Sequence, residues 1–241
     1  MNHYQQQVVM ITGASRGLGR ALALAFAGKG ARLALCARTE QALHRVKEEA
    51  ESLGAAEVLI AAADASVAAD IDQFVTAAEV RFGQIDVLIN NAAILGPSPM
   101  PLLLDYPDEA FLETIRVNTM GPFLVTKRVL PGMLRRGQGS IIHVSSEAGK
   151  TGFAGWGAYG VSKFALEGLA QTWANELKDT PVRMNWVDPG SMATDMMAQA
   201  DPNPSYSLAD PQHVADVFLY LASPEAKDFH GQRFVAEDFV R

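Results

Sequence analysis

The chain has 241 residues, 49% hydrophobic and 20% charged, a composition that suits one folded domain and excludes a disordered chain. Its net charge of −7 works against attachment to phosphate backbones or anionic lipid, so neither nucleic acid nor a membrane surface is an expected partner. No apolar stretch approaches the roughly 18 residues of a membrane span, the opening Met1 to Gln7 lacks the basic region of a secretory leader, and the cytoplasm is the expected compartment.

Short apolar runs alternate with longer segments of helical period from Val8 to Val235, the pattern of repeated βα units around a parallel sheet. Val8 to Thr12 is the first predicted strand and Leu18 to Ala27 the first helix. Arg32 to Cys36 and Glu40 to Leu53 follow, then Val58 to Ala62 and Val67 to Phe82. Val87 to Asn90 leads into one long helical segment, Asp108 to Arg135. Ile141 to Val144 precedes a helix over Tyr159 to Lys178, Arg183 to Val187 precedes one over Pro211 to Leu221, and Arg233 to Val235 is the seventh strand. Gly54 and Gly83 stand where helix ends need a left-handed residue, and Ser66 and Asp210 stand at N-cap positions. The segment 190–207, loaded with Met, Pro, Asp and Ser, reads as a mobile flap. The expected architecture is α/β: a Rossmann-type doubly wound parallel sheet of about seven strands with helices on both faces, in a single domain over residues 1–241.

Cys36 is the only cysteine, which rules out an intrachain disulfide and leaves a small buried hydrophobe as its expected role. His3, His44, His143, His213 and His230 are scattered without ligand spacing, so no metal is expected.

The turn Thr12-Gly13-Ala14-Ser15-Arg16-Gly17-Leu18-Gly19 follows the first strand and opens the first helix, so main-chain N–H groups and the positive helix end converge on one spot suited to an anion. Gly13 permits the tight turn, Gly17 lets the main chain approach a pyrophosphate, and Gly19 allows close contact of helix and sheet. An NAD site places an acidic side chain at the end of the second strand. Here Leu35-Cys36-Ala37-Arg38 offers none, and Arg38 with Arg16 supplies a charged fork for a 2′-phosphate. NADP(H) is therefore expected over NAD(H), the alternative being that both arginines are solvated surface residues.

Tyr159 and Lys163 lie four apart on a predicted helix, on one face and within mutual reach. A tyrosine pKa near 10 falls by about three units for roughly 4 kcal/mol of stabilisation, which a close lysine and an oxidised nicotinamide together supply. Taken alone, such a pair is equally a structural one.

The wider context resembles the short-chain dehydrogenase/reductase family, bacterial NADP-dependent members such as 3-oxoacyl-carrier-protein reductases and enterobacterial short-chain oxidoreductases among them. The resemblance rests on the spacing of Gly13, Gly17 and Gly19, on Asn90-Asn91-Ala92-Ala93 with Ala93 replacing a glycine, on Ser146 thirteen residues before Tyr159, and on Asp188-Pro189-Gly190. It implies an oxidoreductase moving hydride between a nicotinamide and a carbonyl or alcohol. In that scheme Tyr159 is the general acid and base, Lys163 lowers the phenol pKa and holds the nicotinamide ribose, and Ser146 holds the substrate oxygen. Asn118 holds a water linked to the lysine. The resemblance further implies that Asp64 contacts the adenine, that Asn91, Pro189 and Gly190 flank the cofactor, and that Thr194 contacts the carboxamide. Asp64 reads equally as a helix-leading cap, Ser145 and Ser146 as partners of local backbone, and Asn118 as an ordinary helix asparagine, although Gly121-Pro122 should bend its helix nearby.

Met192, Met196 and Met197 line an apolar pocket with Phe153, Trp156 and Leu95, or else are core contacts. Glu237-Asp238-Phe239 stands where the family has a glycine pair, which leaves the packing of the tail open. Family resemblance implies a homodimer or homotetramer built on the helices carrying Asn118 and Tyr159. The rival readings are a catalytically silent dinucleotide-sensing module and an epimerase or dehydratase that regenerates its cofactor.

Overall fold

The computed structural model describes residues 3–239; Met1, Asn2, Val240 and Arg241, which the sequence reading assigns to the same domain, lie outside the described residues. Seven strands form one parallel sheet in the order β3-β2-β1-β4-β5-β6-β7. They are β1 (Val8–Thr12), β2 (Arg32–Ala37), β3 (Glu57–Ala62), β4 (Val87–Asn90), β5 (Gly139–Val144), β6 (Val182–Asp188) and β7 (Arg233–Val235). The strands are nearly continuous apolar runs because both faces are covered. On one face Val9, Ile11, Leu33, Leu35 and Ile89 pack under α1 (Gly17–Ala27), α2 (Glu40–Ser52) and α8 (Pro211–Ala222). On the other, Met10, Ala34, Cys36, Leu88 and Ile141 pack under α3 (Ala68–Phe82), α5 (Gly121–Arg136) and α6 (Gly157–Leu177), so Cys36 is a core residue as expected.

The chain leaves β1 toward β2 and, after β3, returns to place β4 against the other side of β1. The two halves therefore diverge at the carboxyl ends of β1 and β4, where a crevice opens. Ile11 pairs with Ile89 and Asn90 with His143, so the ends of β1, β4 and β5 reach a common edge.

Four details refine or correct the sequence reading. The long segment Asp108 to Arg135 is interrupted: α4 (Asp108–Ile115) runs into a π-helical turn (Arg116–Met120) and then α5. The interruption falls where Gly121-Pro122 is expected to bend the helix: Pro122 has no N–H to give the preceding turn, and the π-helical turn directly before it carries Asn118. Ser66 is not an N-cap. Val67 holds that position, and the Ser66 hydroxyl donates to Asp64 Oδ1 at 2.6 Å. The flap segment contains a helix, α7 (Asp195–Ala200), capped by the Thr194 hydroxyl accepting from the Met197 amide. The tail forms a 3-10 turn (Ala236–Asp238), with Phe239 5.3 Å from the Tyr220 ring. Gly83 and Asp210 do cap α3 and α8 as read.

Candidate active site

A groove of about 650 Å³ opens at the carboxyl edge of the sheet. Gly13, Ser15, Arg16, Gly17, Leu18 and Gly19 form one end of it. The turn is held shut by contacts that leave no room for side chains. A Cβ on Gly13 would lie 2.8 Å from Ala92 Cα, and one on Gly19 would overlap the Gly13 carbonyl oxygen and come within 2.6 Å of Asn91 Nδ2. The close approach that requires Gly19 is thus to the turn itself and to β4's loop. Asn91 ties the two together, donating from Nδ2 to the carbonyls of Thr12 at 2.9 Å and Gly13 at 3.0 Å. Thr12 returns the link, its Oγ1 accepting from the amides of Asn91 and Ala92. A Cβ on Gly17 would point at the Thr194 methyl 3.4 Å away, across the groove.

Arg38, exposed, and Asp64 line the same end. Burial works against the Asp64 carboxylate, yet the Ser66 hydroxyl and amide and the charges of Arg116 and Arg38 outweigh it and hold its pKa below the ordinary value. Asp64 therefore serves as a local cap and as a wall of the groove together. Arg16 reaches over the groove to Asp195 at 3.2 Å, an exposed pair that links the glycine turn to α7.

The groove is also lined by Tyr159 and Lys163 on α6 and by Pro189 and Thr194 after β6. Tyr159 is 8% exposed and Lys163 only 2%. The ammonium lies 5.5 Å from the Tyr159 ring centre and donates to the Val144 carbonyl at 2.8 Å. Burial dominates both groups. It pulls the lysine pKa down to about 8 and pushes the phenol up to about 12, against the hydrogen bond from Ser146 and helped by the charge of Asp188. In the protein alone, then, the lysine charge does not outweigh burial at Tyr159, and the lowering expected from lysine and oxidised nicotinamide together concerns the cofactor-bound site.

Ser146 and Ser145 separate cleanly. Ser146 lowers the phenol pKa and accepts from the Ala148 amide at 3.2 Å, while Ser145 is the serine that lines the groove. Ser145 donates to Glu167 at 2.5 Å, away from the tyrosine. Asn118, 1% exposed, clasps the main chain of Ile94 from both sides, accepting from its amide at 2.8 Å and donating to its carbonyl at 2.9 Å; it also donates to the Ser162 hydroxyl. It is no idle helix asparagine, and it does not line the groove. The π-helical turn is what aims it across at β4's loop. Asn90 points into the core, to Thr126 and to His143.

Leu95, Trp156 and Met196 pack around Tyr159 as the pocket reading has it, joined by Ala148, Met100 and Ala200. Met192 lines the groove and also packs on the core, Met197 contacts the Tyr206 hydroxyl, and Phe153 is exposed. Sequence reasoning missed three charged residues beneath this site. Asp188 fixes the Gly190 amide at 3.0 Å, while Arg233 binds Asp188 at 2.9 Å and Glu167 at 3.0 Å. His143 is fully buried and burial drives its pKa down to about 3. Glu237 faces Gly190, so the tail packs against the turn after β6.

Among the described residues no group of three or more His, Cys, Asp or Glu is arranged to hold a metal, and no helix is long and apolar enough to cross a membrane. A second depression of about 410 Å³, between Gln5, Asp86, Gln138 and Arg183, contains neither the glycine turn nor the tyrosine.

A doubly wound sheet with a glycine cradle at its switch point defines a dinucleotide-binding protein, and the buried tyrosine and lysine on α6 narrow the class. Residues 7–205 match the family model for short chain dehydrogenases, and the chain belongs to that family. It is an oxidoreductase of the NAD(P)-dependent kind. A 3-oxoacyl-[acyl-carrier-protein] reductase from Synechocystis is 35% identical over 236 residues, covering 95% of this chain and 94% of that protein. A short chain dehydrogenase structure from Pseudomonas syringae is 39% identical with a TM-score of 0.92, covering 97% of this chain and 95% of the other. Another, from Escherichia coli and complexed with NADPH, is 29% identical with a TM-score of 0.90, covering 98% of this chain and 99% of that one.

Proposed function

We propose that the protein is an NADP(H)-dependent oxidoreductase that moves hydride between the nicotinamide and a carbonyl or alcohol substrate, with Tyr159 as general acid and base. The observation that carries the reading is one groove lined both by the glycine turn and by Tyr159 and Lys163. The residues present fit a dinucleotide: the cradle at Gly13 and Gly19 admits no side chain, and Arg16 and Arg38 on the same groove offer cations to an adenosine 2′-phosphate. The related E. coli structure holding NADPH points the same way. A bound dinucleotide supplies or accepts the hydride.

The chain's own residues do the rest. Tyr159, with its pKa pushed up to about 12, stays protonated at neutral pH and donates its proton to the substrate oxygen in reduction. Ser146 hydrogen-bonds the same oxygen and holds the developing alkoxide. Lys163 keeps two N–H donors beyond the one given to Val144, and these serve the ribose hydroxyls. In oxidation the phenol must lose its proton, which added positive charge beside it favours. Asp64, Asn91, Pro189, Gly190 and Thr194 complete the cofactor's surroundings. Asn118 acts through the loop it clasps.

The substrate is a small carbonyl compound or alcohol whose body meets Leu95, Met100, Trp156 and Met196. A homodimer or homotetramer is part of the reading, since α4, the π-helical turn and α6 are neighbours and leave Leu112, Met120, Val161 and Phe164 exposed. We also keep a cytoplasmic enzyme, in line with its net charge of −7. A panel of ketones, diketones and secondary alcohols followed by NADPH and NADH absorbance tests the assignment. Turnover with clear NADPH preference is expected. Nucleotide binding without turnover of any member would favour a sensing module, and preference for NADH would overturn the cofactor assignment.

A further inference from the structure

We propose that Arg233 is a positioning residue of the active site, fixing the main chain of Ser146 and neutralising the two carboxylates, Asp188 and Glu167, that stand behind Tyr159 and Lys163. The proposal rests on the reading of Tyr159 as the general acid and base. Arg233 opens β7, the last strand of the sheet, yet its side chain is 17% exposed and lies beneath the site. Nη2 donates to the Ser146 carbonyl at 3.2 Å, to Asp188 Oδ2 at 2.9 Å and to Glu147 Oε2 at 3.2 Å, while Nε donates to Glu167 Oε1 at 3.0 Å. One planar fork thus joins the end of β5, α6 and the end of β6. No ammonium has the geometry to reach all of these at once.

Both carboxylates are spoken for elsewhere in the site. Glu167 accepts from the Ser145 hydroxyl, so Arg233 holds the serine pair twice, once through that hydroxyl and once through the Ser146 carbonyl. Asp188 holds the Gly190 amide and with it the turn that flanks the groove. Glu167 and Asp188 are 9% and 6% exposed, and buried carboxylates without a cation are costly.

Their charge reaches the tyrosine and lysine. Asp188 raises the pKa of both groups, and Glu167 raises that of Lys163. The other charged groups around α6 do not take Arg233's place. His143 on β5 is neutral, Glu147 is itself bound to Arg233, Lys150 is exposed, and Glu237 faces Gly190. On α4, Asp108 and Glu109 are exposed and Glu113 is paired with Arg116. Loss of Arg233 therefore leaves two uncompensated negative charges beneath the site, that of Asp188 acting on the phenol and disfavouring the phenolate, and that of Glu167 acting on Lys163.

The test follows the oxidation of racemic 1-phenylethanol by NADP+, with kcat/KM measured from about pH 6 to about pH 10. Arg233→Gln should move the rising limb up by about one pH unit and lower kcat more than it changes KM for NADP+. Arg233→Lys keeps the charge without the fork, so it should return the limb near its wild-type place while leaving kcat depressed. Glu167→Gln removes one carboxylate and should move the limb the opposite way, a result that does not depend on Arg233→Gln folding. Thermal melting and NADPH fluorescence verify that each variant folds and binds. An unmoved limb in Arg233→Gln and Glu167→Gln overturns the proposal, as does equal loss of kcat in both arginine variants at an unchanged limb. Full activity in Tyr159→Phe would instead sink the underlying reading of the tyrosine.

Discussion

Lys163→Met keeps the length of the side chain and removes its charge, and its effect on stability should depend on pH in a defined sense. The lysine is 2% exposed, and burial lowers its pKa from 10.5 to about 8. Below the folded value both states bind the proton, and the native state carries the full cost of a buried ammonium. Between the folded and unfolded values the native lysine is neutral while the unfolded chain still binds a proton, so stability rises with pH. Each pKa unit is worth about 1.4 kcal/mol, so wild type gains about 3 kcal/mol between about pH 8 and about pH 10 that the variant cannot gain. The lost hydrogen bond to the Val144 carbonyl, about 1.5 to 3 kcal/mol for a charged donor, offsets part of the variant's advantage at neutral pH but does not change this slope. Tyr159 titrates in the opposite sense above its ordinary pKa of 10, since its folded value is raised, and the comparison stops there. Urea unfolding of both proteins at several pH values, taken as a difference, cancels the titrations they share. Parallel stability curves would refute the claim that Lys163 is held in a dry, costly position.

Three further outcomes follow from the geometry. Gly19→Ala forces a methyl group onto the Gly13 carbonyl and the Asn91 amide, so NADPH binding by fluorescence should weaken at least about tenfold, with destabilisation of about 1 to 3 kcal/mol; unchanged affinity would contradict the packing argument. His143 is buried neutral with its pKa lowered from 6.5 to about 3, so stability drops as pH falls through that window, by about 3 kcal/mol between about pH 6.5 and about pH 4.5. His143→Gln should flatten that acid limb in urea unfolding, and an identical limb would show that other groups cause it. Arg38→Ala should raise the KM for NADPH about tenfold and leave that for NADH unchanged, as expected for one lost charged contact; equal effects on both would remove Arg38 from the phosphate site.

Much of this was readable in the sequence because it is local. The glycine turn lies between a strand and a helix that each declare themselves by period, and Tyr159 and Lys163 share a helix face by spacing alone. The α/β order and all seven strands follow from runs of buried aliphatics. What stayed hidden depends on distant parts meeting. Arg233, Glu167 and Asp188 come from β7, α6 and β6, and nothing near any of them announces the other two. Gly121-Pro122 announces a distortion near Asn118, but not that it takes the form of a π-helical turn or that it aims Asn118 at the loop after β4. Ser66 reads as a cap from composition, but Asp64 two residues earlier captures its hydroxyl. Spacing gives the proximity of Tyr159 to Lys163 and says nothing of burial, which in the protein alone raises the phenol pKa.

Tyr159→Phe is the most direct test of the central claim, since it removes one hydroxyl from a ring that stays packed against Trp156. With NADPH binding followed by fluorescence and carbonyl reduction by absorbance, we expect affinity within about twofold of wild type and turnover reduced by at least about 100-fold, the scale of lost general acid catalysis. A variant that binds NADPH and reduces the same carbonyl at the wild-type rate would contradict the account.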